Sequence, residues 1–176
     1  MVALVVALDQ LTKFLVKASF ALNESRPVLG DFFRLTYIHN TGGAFGVQLG
    51  TPLFYLVSSA LIIGILVLYF QKFHAVLGWT GVSLALVLGG AIGNLIDRIA
   101  YGKVVDFLDF EFFNISIRPF KLLFWQFPGY QLERWPIFNI ADSAVTCGIL
   151  LLLATSLVGS KKSQTHEALA PTTPPT

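Results

Sequence analysis

The chain has 176 residues, of which 55% are hydrophobic and only 12% charged, with a formal net charge of +2 and a mean hydropathy of +0.70. A soluble globular domain carries about 25% charged residues, so half that share excludes an ordinary cytosolic enzyme, a disordered chain and a disulfide scaffold, and points to a membrane protein. Twelve basic residues nearly matched by ten acidic ones, with no basic cluster, give no argument for nucleic acid.

A membrane-spanning helix needs roughly 20 mostly apolar residues. The first candidate covers about 1–20. Met1 to Leu8 is apolar, and Asp9, Lys13 and Lys17 then interrupt an apolar stretch that runs to Leu22. Asp9 and Lys13 are four apart, so they share a helix face and are spaced to pair. Lys17, near the end, is placed to snorkel to the interface. A cleavable signal peptide needs a basic start and a small-residue cleavage site, and no basic residue precedes Lys13.

The segment 21–51 has β character: Phe33 to His39 roughly alternates apolar and polar, and Asn40-Thr41-Gly42-Gly43 reads as a turn. The second span, about 52–70, opens on Pro52, which suits a first helical turn. The third, about 79–99, carries Gly89-Gly90-Ala91-Ile92-Gly93, a run that favours close helix packing. Segment 100–138 is rich in aromatics, among them Phe107, Phe110, Phe112, Phe120, Phe124, Trp125, Phe127 and Trp135. Its default reading is a belt resting on lipid headgroups. The fourth span, about 139–158, contains the only cysteine, Cys147, so there is neither an intrachain disulfide nor a cysteine-based metal site.

Four spans put both termini on one side of the membrane. The short loop with Lys72 and His74, and the tail with Lys161 and Lys162, mark the cytoplasmic side by the positive-inside rule. Segments 21–51 and 100–138 then lie outside. The expected fold is an all-α integral membrane protein with four transmembrane helices and a small extracytoplasmic β-rich subdomain. Residues 1–158 form one domain, and 159–176 a disordered cytoplasmic tail.

Ionisable residues in or near spans cost about 2.5–3.5 kcal/mol each on insertion scales, so each calls for a partner or a role. Asp9 and Lys13 read as a pair that fixes the first span. Asn94, Asp97 and Arg98 make one polar face at the end of the third span, where Arg98 holds a carboxylate or backbone carbonyls. Asp106 and Asp142 flank the same outer segment, near one membrane boundary. Two readings stand for them. They share a partly desolvated site and divide acid and base work between them, or Asp142 caps the fourth helix while Asp106 and Asp109 are solvated loop acids. No His-Glu-x-x-His, Gly-x-Ser-x-Gly or phosphate-loop pattern is present.

Five blocks in order resemble a known family. They are Asp9-Gln10-Leu11-Thr12-Lys13, Asn40-Thr41-Gly42-Gly43-Ala44-Phe45-Gly46, Gly93-Asn94-Leu95-Ile96-Asp97-Arg98, Val104-Val105-Asp106-Phe107 and Phe138-Asn139-Ile140-Ala141-Asp142-Ser143. Together they resemble lipoprotein signal peptidase, or signal peptidase II, a bacterial membrane aspartyl protease. The resemblance implies cleavage of diacylglyceryl-modified prolipoproteins just before the lipidated cysteine. It makes Asp106 and Asp142 the catalytic pair. Asn40, Asn94, Arg98 and Asn139 line or brace the site, and Asp9 and Lys13 support the fold near it. It implies no metal or cofactor, the bacterial cytoplasmic (inner) membrane as location, contact with membrane lipid and a monomeric enzyme.

The chain departs from the pattern in two places. Only eight residues precede Asp9, and the stretch between Asp106 and Asp142 is longer than usual, its extra piece spanning about Asn114 to Trp135. A proton-coupled transporter and a non-catalytic assembly subunit are the competing readings of the same intramembrane acids.

Overall fold

The computed structural model describes residues 1–42, 50–72, 78–112, 115–122, 124–128, 130–132 and 134–168. Gly43, the last residue of the expected turn, the rest of its motif block at 44–46, most of the short loop at 73–77 and the tail end at 169–176 lie outside the described residues. Four helices, α1 (Val2–Ser19), α2 (Pro52–Lys72), α3 (Trp79–Tyr101) and α4 (Ile140–Ala168), fall where the apolar stretches put them, α1 with its three ionisable residues included. The all-α class is too narrow. The described residues also form strands β1 (Ser25–Leu29), β2 (Phe33–Asn40), β3 (Val104–Phe110), β4 (Ile115–Ile117), β5 (Phe120–Leu122), β6 (Trp125–Phe127) and β7 (Tyr130–Leu132). Helix α4 also runs through the expected disordered tail as far as Ala168. Nothing from Ser160 to Ala168 breaks a helix, and the first proline beyond it is Pro171.

Helix α3 is the hub of the bundle and packs on α1, α2 and α4. Its glycines make this possible. A Cβ on Gly90 would strike the Ala141 carbonyl oxygen of α4, and one on Gly93 would lie 2.6 Å from the Asp9 carboxylate of α1. Gly102, at φ 70°, ends α3 in the left-handed conformation, and its N–H donates to the Arg98 carbonyl. The chain then turns directly into β3.

The bundle is inverted relative to a water-soluble one. Leu4, Leu8, Leu11, Phe14 and Leu15 of α1, and Leu53, Phe54, Val57, Leu61 and Ile65 of α2, are exposed. By contrast Asp9 (0% exposed), Lys13 (1%), Ser83, Asn94 and Asp97 are buried. Hydrocarbon on the outside stabilises this distribution, because the apolar faces need no cover and the ions find one another inside. Both α3 and the 140–157 stretch of α4 are long and apolar enough to cross a membrane, and α2 adds a shorter apolar run, Leu53–Tyr69.

Lys13 ties the bundle together. An ammonium has three N–H donors and no acceptor. Here Nζ donates to Asp9 Oδ2 at 2.9 Å, Asp97 Oδ2 at 3.0 Å and Asn94 Oδ1 at 2.9 Å. Each carboxylate then reaches another element: Asp9 Oδ1 accepts the Ala141 N–H of α4, and Asp97 Oδ2 accepts the Val105 N–H of β3. Gln10 Nε2 lies 3.1 Å from both carboxylates and from the Gly93 carbonyl. At the other end of α1, Lys17 extends to Tyr101, as expected of a snorkelling lysine.

Strands β1, β2 and β3 form an antiparallel sheet in that order. The alternation at 33–39 marks β2 correctly, but the sequence reading missed β3. Val104, Val105, Asp106 and Phe107 are all buried, so β3 shows no period-two pattern. Val105 and Phe107 join Val16 of α1 and Tyr37 of β2 in the core beneath the sheet. On the outer part of the sheet Phe110 stacks on Phe33 and Phe112. Phe107 and Phe110 are therefore packing residues rather than part of a lipid-resting belt, while Phe112 stacks on Phe110 and stays exposed.

Asp109 is likewise not a solvated loop acid. It is 4% exposed, accepts Thr36 Oγ1 at 2.6 Å and Arg134 Nε at 2.7 Å, and so ties the far end of the segment to the sheet.

Between Phe112 and Arg134 the chain forms a β arm. The pairings Ile115↔Leu132 to Ile117↔Tyr130 and Phe120↔Phe127 to Leu122↔Trp125 keep one register, so the two short ladders are one hairpin. That register sets Pro119 opposite Pro128, and neither can donate to a ladder, which interrupts the pairing at that point.

Replacing Lys13 with methionine leaves Asp9 and Asp97 buried without their cation. A loss of about 3–5 kcal/mol is expected, read as a lowered midpoint in thermal unfolding of the purified protein in detergent. The triple change Asp9→Asn, Lys13→Met and Asp97→Asn is expected to recover part of that loss.

Candidate active site

Asp106 and Asp142 arrive at the site on different scaffolds. Asp106 sits in the middle of β3. Asp142 lies in the first turn of α4, and Asn139 occupies the N-cap position of that helix. Asn139 Oδ1 accepts the Asp142 N–H at 2.9 Å, while Asp142 Oδ2 accepts the Asn139 N–H at 3.2 Å. This is a reciprocal capping box. The capping part of the second reading therefore holds and uses only one of the two carboxylate oxygens, whereas its solvated Asp106 and Asp109 do not, since both are buried.

The approach to α4 brings the two acids together. Phe138 bridges the free edge of β3: its carbonyl accepts the N–H groups of Phe107 and Leu108, and its own N–H donates to Leu108. The next residue, Asn139, is fully buried. Its Nδ2 donates to Asp106 Oδ1 at 2.7 Å, with the Val105 carbonyl and Asn94 Oδ1 also in reach. One asparagine thus touches both acids, Asp106 by its side chain and Asp142 by its backbone and side chain.

Two further asparagines complete the cradle. Asn94 Nδ2 donates to Asp142 Oδ1 at 2.8 Å, and Asn40 Nδ2 to Asp106 Oδ2 at 2.8 Å. The register that pairs Asn40 with Val104 sets Asn40 on the same face of the sheet as Asp106. Asn40 Oδ1 in turn accepts the Gly42 N–H. The orientation of Asn94 is dictated from below. Lys13 has only donors, so the Asn94 oxygen must face it, and the amide nitrogen is left to face Asp142.

Arg98 takes the carbonyl option of the sequence reading, with Nη1 and Nη2 at 3.4 Å from the carbonyls of Asn94 and Gly42. Its charge lies in the field of both acids. Burial, and next the charge of Asp142, push the Asp106 carboxyl up to about 7. A carboxyl poised there exchanges a proton at neutral pH, which is what acid–base chemistry on an amide needs.

Of the residues singled out from sequence, Asn40, Asn94, Asp106, Asn139 and Asp142 meet at this site. Asp9 and Lys13 form the layer beneath it, and Arg98 stands at its side. The sequence places Asp97 only on the polar face of the third span, reads Asp109 as a solvated loop acid, and gives no contact for Gln10 or Arg134. Lys13 itself held the signal for Asp97, because Asp9 satisfies one of its three donors and two acceptors remained to be found.

The chain is similar to known proteins over most of its length. The family model for signal peptidase (SPase) II matches residues 1–158. Relatives named lipoprotein signal peptidase include that of Bacillus subtilis, 39% identical over 165 residues and covering 93% of this chain and 95% of the relative. The one from Chlorobium phaeobacteroides is 43% identical over 154 residues, covering 86% and 89%. A bacterial membrane enzyme solved by the in meso method superposes with a TM-score of 0.73 at 29% identity, covering 99% of this chain and 92% of its own. With a buried Asp106 and a half-buried Asp142 held in one cradle and a family model matching residues 1–158, the chain belongs to the signal peptidase II family of aspartic endopeptidases.

Proposed function

We propose that this enzyme removes the signal peptide from diacylglyceryl-modified prolipoproteins by cleaving before the lipidated cysteine, with Asp106 and Asp142 as the catalytic dyad. The observation that carries the dyad is the shared buried asparagine, Asn139, hydrogen-bonded to both carboxylates. Family membership supports the prolipoprotein substrate and displaces the transporter and assembly-subunit readings. The inverted bundle supports a membrane location; in this reading a single-domain monomer crosses the bacterial cytoplasmic membrane four times, and the positive-inside bias puts the dyad toward the extracytoplasmic side.

In this mechanism the pair shares one proton at neutral pH. Asp106, pushed up to about 7, holds it. Asp142, the member of the pair without that proton, acts as the base. It takes a proton from a water molecule as that water attacks the scissile carbonyl, and Asp106 gives its proton to the carbonyl oxygen. When the tetrahedral intermediate collapses, the C–N bond breaks, the proton held by Asp142 passes to the leaving amine, and Asp106 recovers its own. Asn40, Asn94 and Asn139 keep both carboxyls oriented through the cycle. Arg98 balances part of the negative charge. A site at the membrane boundary leaves the substrate's diacylglyceryl group in the bilayer throughout.

Asp106→Asn and Asp142→Asn are each expected to abolish cleavage of a diacylglyceryl prolipoprotein in vitro while the purified protein keeps its helical circular dichroism. Full activity in either variant would reject the dyad.

A second expectation concerns pH. A carboxyl raised from 3.8 to about 7 in the folded state binds its proton more tightly there than in the unfolded chain. Its contribution is present below the unfolded value and is lost as pH rises toward 7. Thermal stability in detergent is expected to decline between about pH 4 and 7 through this group. Asp106→Asn is expected to flatten that decline and to be relatively most stable above pH 7.

A further inference from the structure

The β arm is a part of the molecule that the catalytic reading does not use. Its strands pack extensively only on each other among the described residues. Its base is clamped by Arg134, which donates to Asp109, to Glu111 and to the Asp31 carbonyl. Trp135 packs edge-on against Phe112 beside that clamp. The arm thus leaves the sheet from a fixed root and ends in a free tip.

The tip is apolar and uncovered. Phe124 is 98% exposed and Trp125 83%, with Phe120, Leu122 and Phe127 also exposed. Cross-strand pairing puts Phe120, Phe127, Leu122 and Trp125 on one face, where the Phe120 and Phe127 rings lie 5.1 Å apart. Lys121 and Gln126 pair on the opposite face. From 115 to 132 the only charged residues are Arg118 and Lys121, with no acid among them. An apolar patch of this kind standing in water is costly and marks a contact surface. Tryptophan beside phenylalanine, flanked by cations alone, matches the boundary zone of a bilayer that carries negative headgroups.

We infer that the arm tip seats in the headgroup region of an anionic bilayer, with Phe124 and Trp125 inserted and Lys121 and Arg118 against the lipid phosphates. This rests on the proposed membrane placement and is independent of the dyad. It gives the enzyme a lipid contact outside its helices, rooted through Asp109 on the strand that carries Asp106.

The test uses the full chain in vesicles of phosphatidylglycerol and phosphatidylcholine, with two single-tryptophan versions. Trp79→Phe with Trp135→Phe leaves Trp125, and Trp125→Phe with Trp135→Phe leaves Trp79 at the start of α3. In vesicles containing shallow spin-labelled lipid, Trp125 is expected to lose most of its emission, to emit at shorter wavelength and to resist aqueous acrylamide. Lys121→Gln with Arg118→Gln is expected to reduce the lipid quenching in phosphatidylglycerol-rich vesicles and leave it unchanged in pure phosphatidylcholine. If Trp79 is quenched by lipid while Trp125 remains open to acrylamide, the arm proposal fails and the membrane placement stands. If neither is quenched by lipid, the placement fails and the proposal with it. Protection of Trp125 only on adding a soluble protein would identify a protein partner and overturn the lipid assignment.

Discussion

An ammonium group surrounded by hydrocarbon has no water to receive its three protons, and the bundle is arranged around meeting that demand for Lys13. Asp9 lies one turn earlier on the same helix and accepts one proton. The other two acceptors, Asn94 and Asp97, both come from α3. Helix α1 is thereby fixed in rotation against α3, since a modest turn of either would strand a buried charge. The same contact sets which way the Asn94 amide points. Orientation then passes from a charge with no choice of polarity to Asn94, and on to Asn139 and the acid of α4.

The two acids are mounted in different ways, and this helps to distinguish them chemically. Asp106 stands on a strand buried on both faces, with one asparagine donor on each oxygen. Asp142 is part of a helix start, with one oxygen engaged in capping and the other held by Asn94. Asp106 is buried and Asp142 half-buried, so the donors that face them count for more than they would in water. Asn139 serves the helix and the site at once, and neither its amide oxygen nor its amide nitrogen is free to turn without breaking one of those functions.

The helices were legible because hydrophobic spans announce themselves by length and by the absence of charge. Strand β2 was legible because apolar and polar residue types roughly alternate from Phe33 to His39. Strand β3 left no such trace, since residues 104–107 are buried on both sides and read as a continuous apolar run broken by one aspartate. The β arm was hidden for the opposite reason: its strands are three residues long and prolines interrupt them, so neither alternation nor length stands out. In the site, spacing alone suggested that Asp9 meets Lys13 and that Asp106 and Asp142 share a boundary. The roles of the asparagines came from motif resemblance, because an amide can serve many structures equally well. The Asp109–Arg134 pair joins residues far apart in sequence with no periodicity between them, and only the folded chain reveals it.

That pair, together with the bridge between Leu108 and Phe138, closes the outer segment just above the dyad. Everything between Glu111 and Arg134 is consequently outside the loop that sets the geometry of the two acids. The entropic cost of closing a loop rises only slowly with its length, so lengthening this stretch costs little once both closures are made. The span of sequence between the two acids is therefore free to grow or shrink during evolution without retuning the chemistry. An accessory structure such as the β arm can be acquired there as a module, on a scaffold whose reactive centre does not register the change.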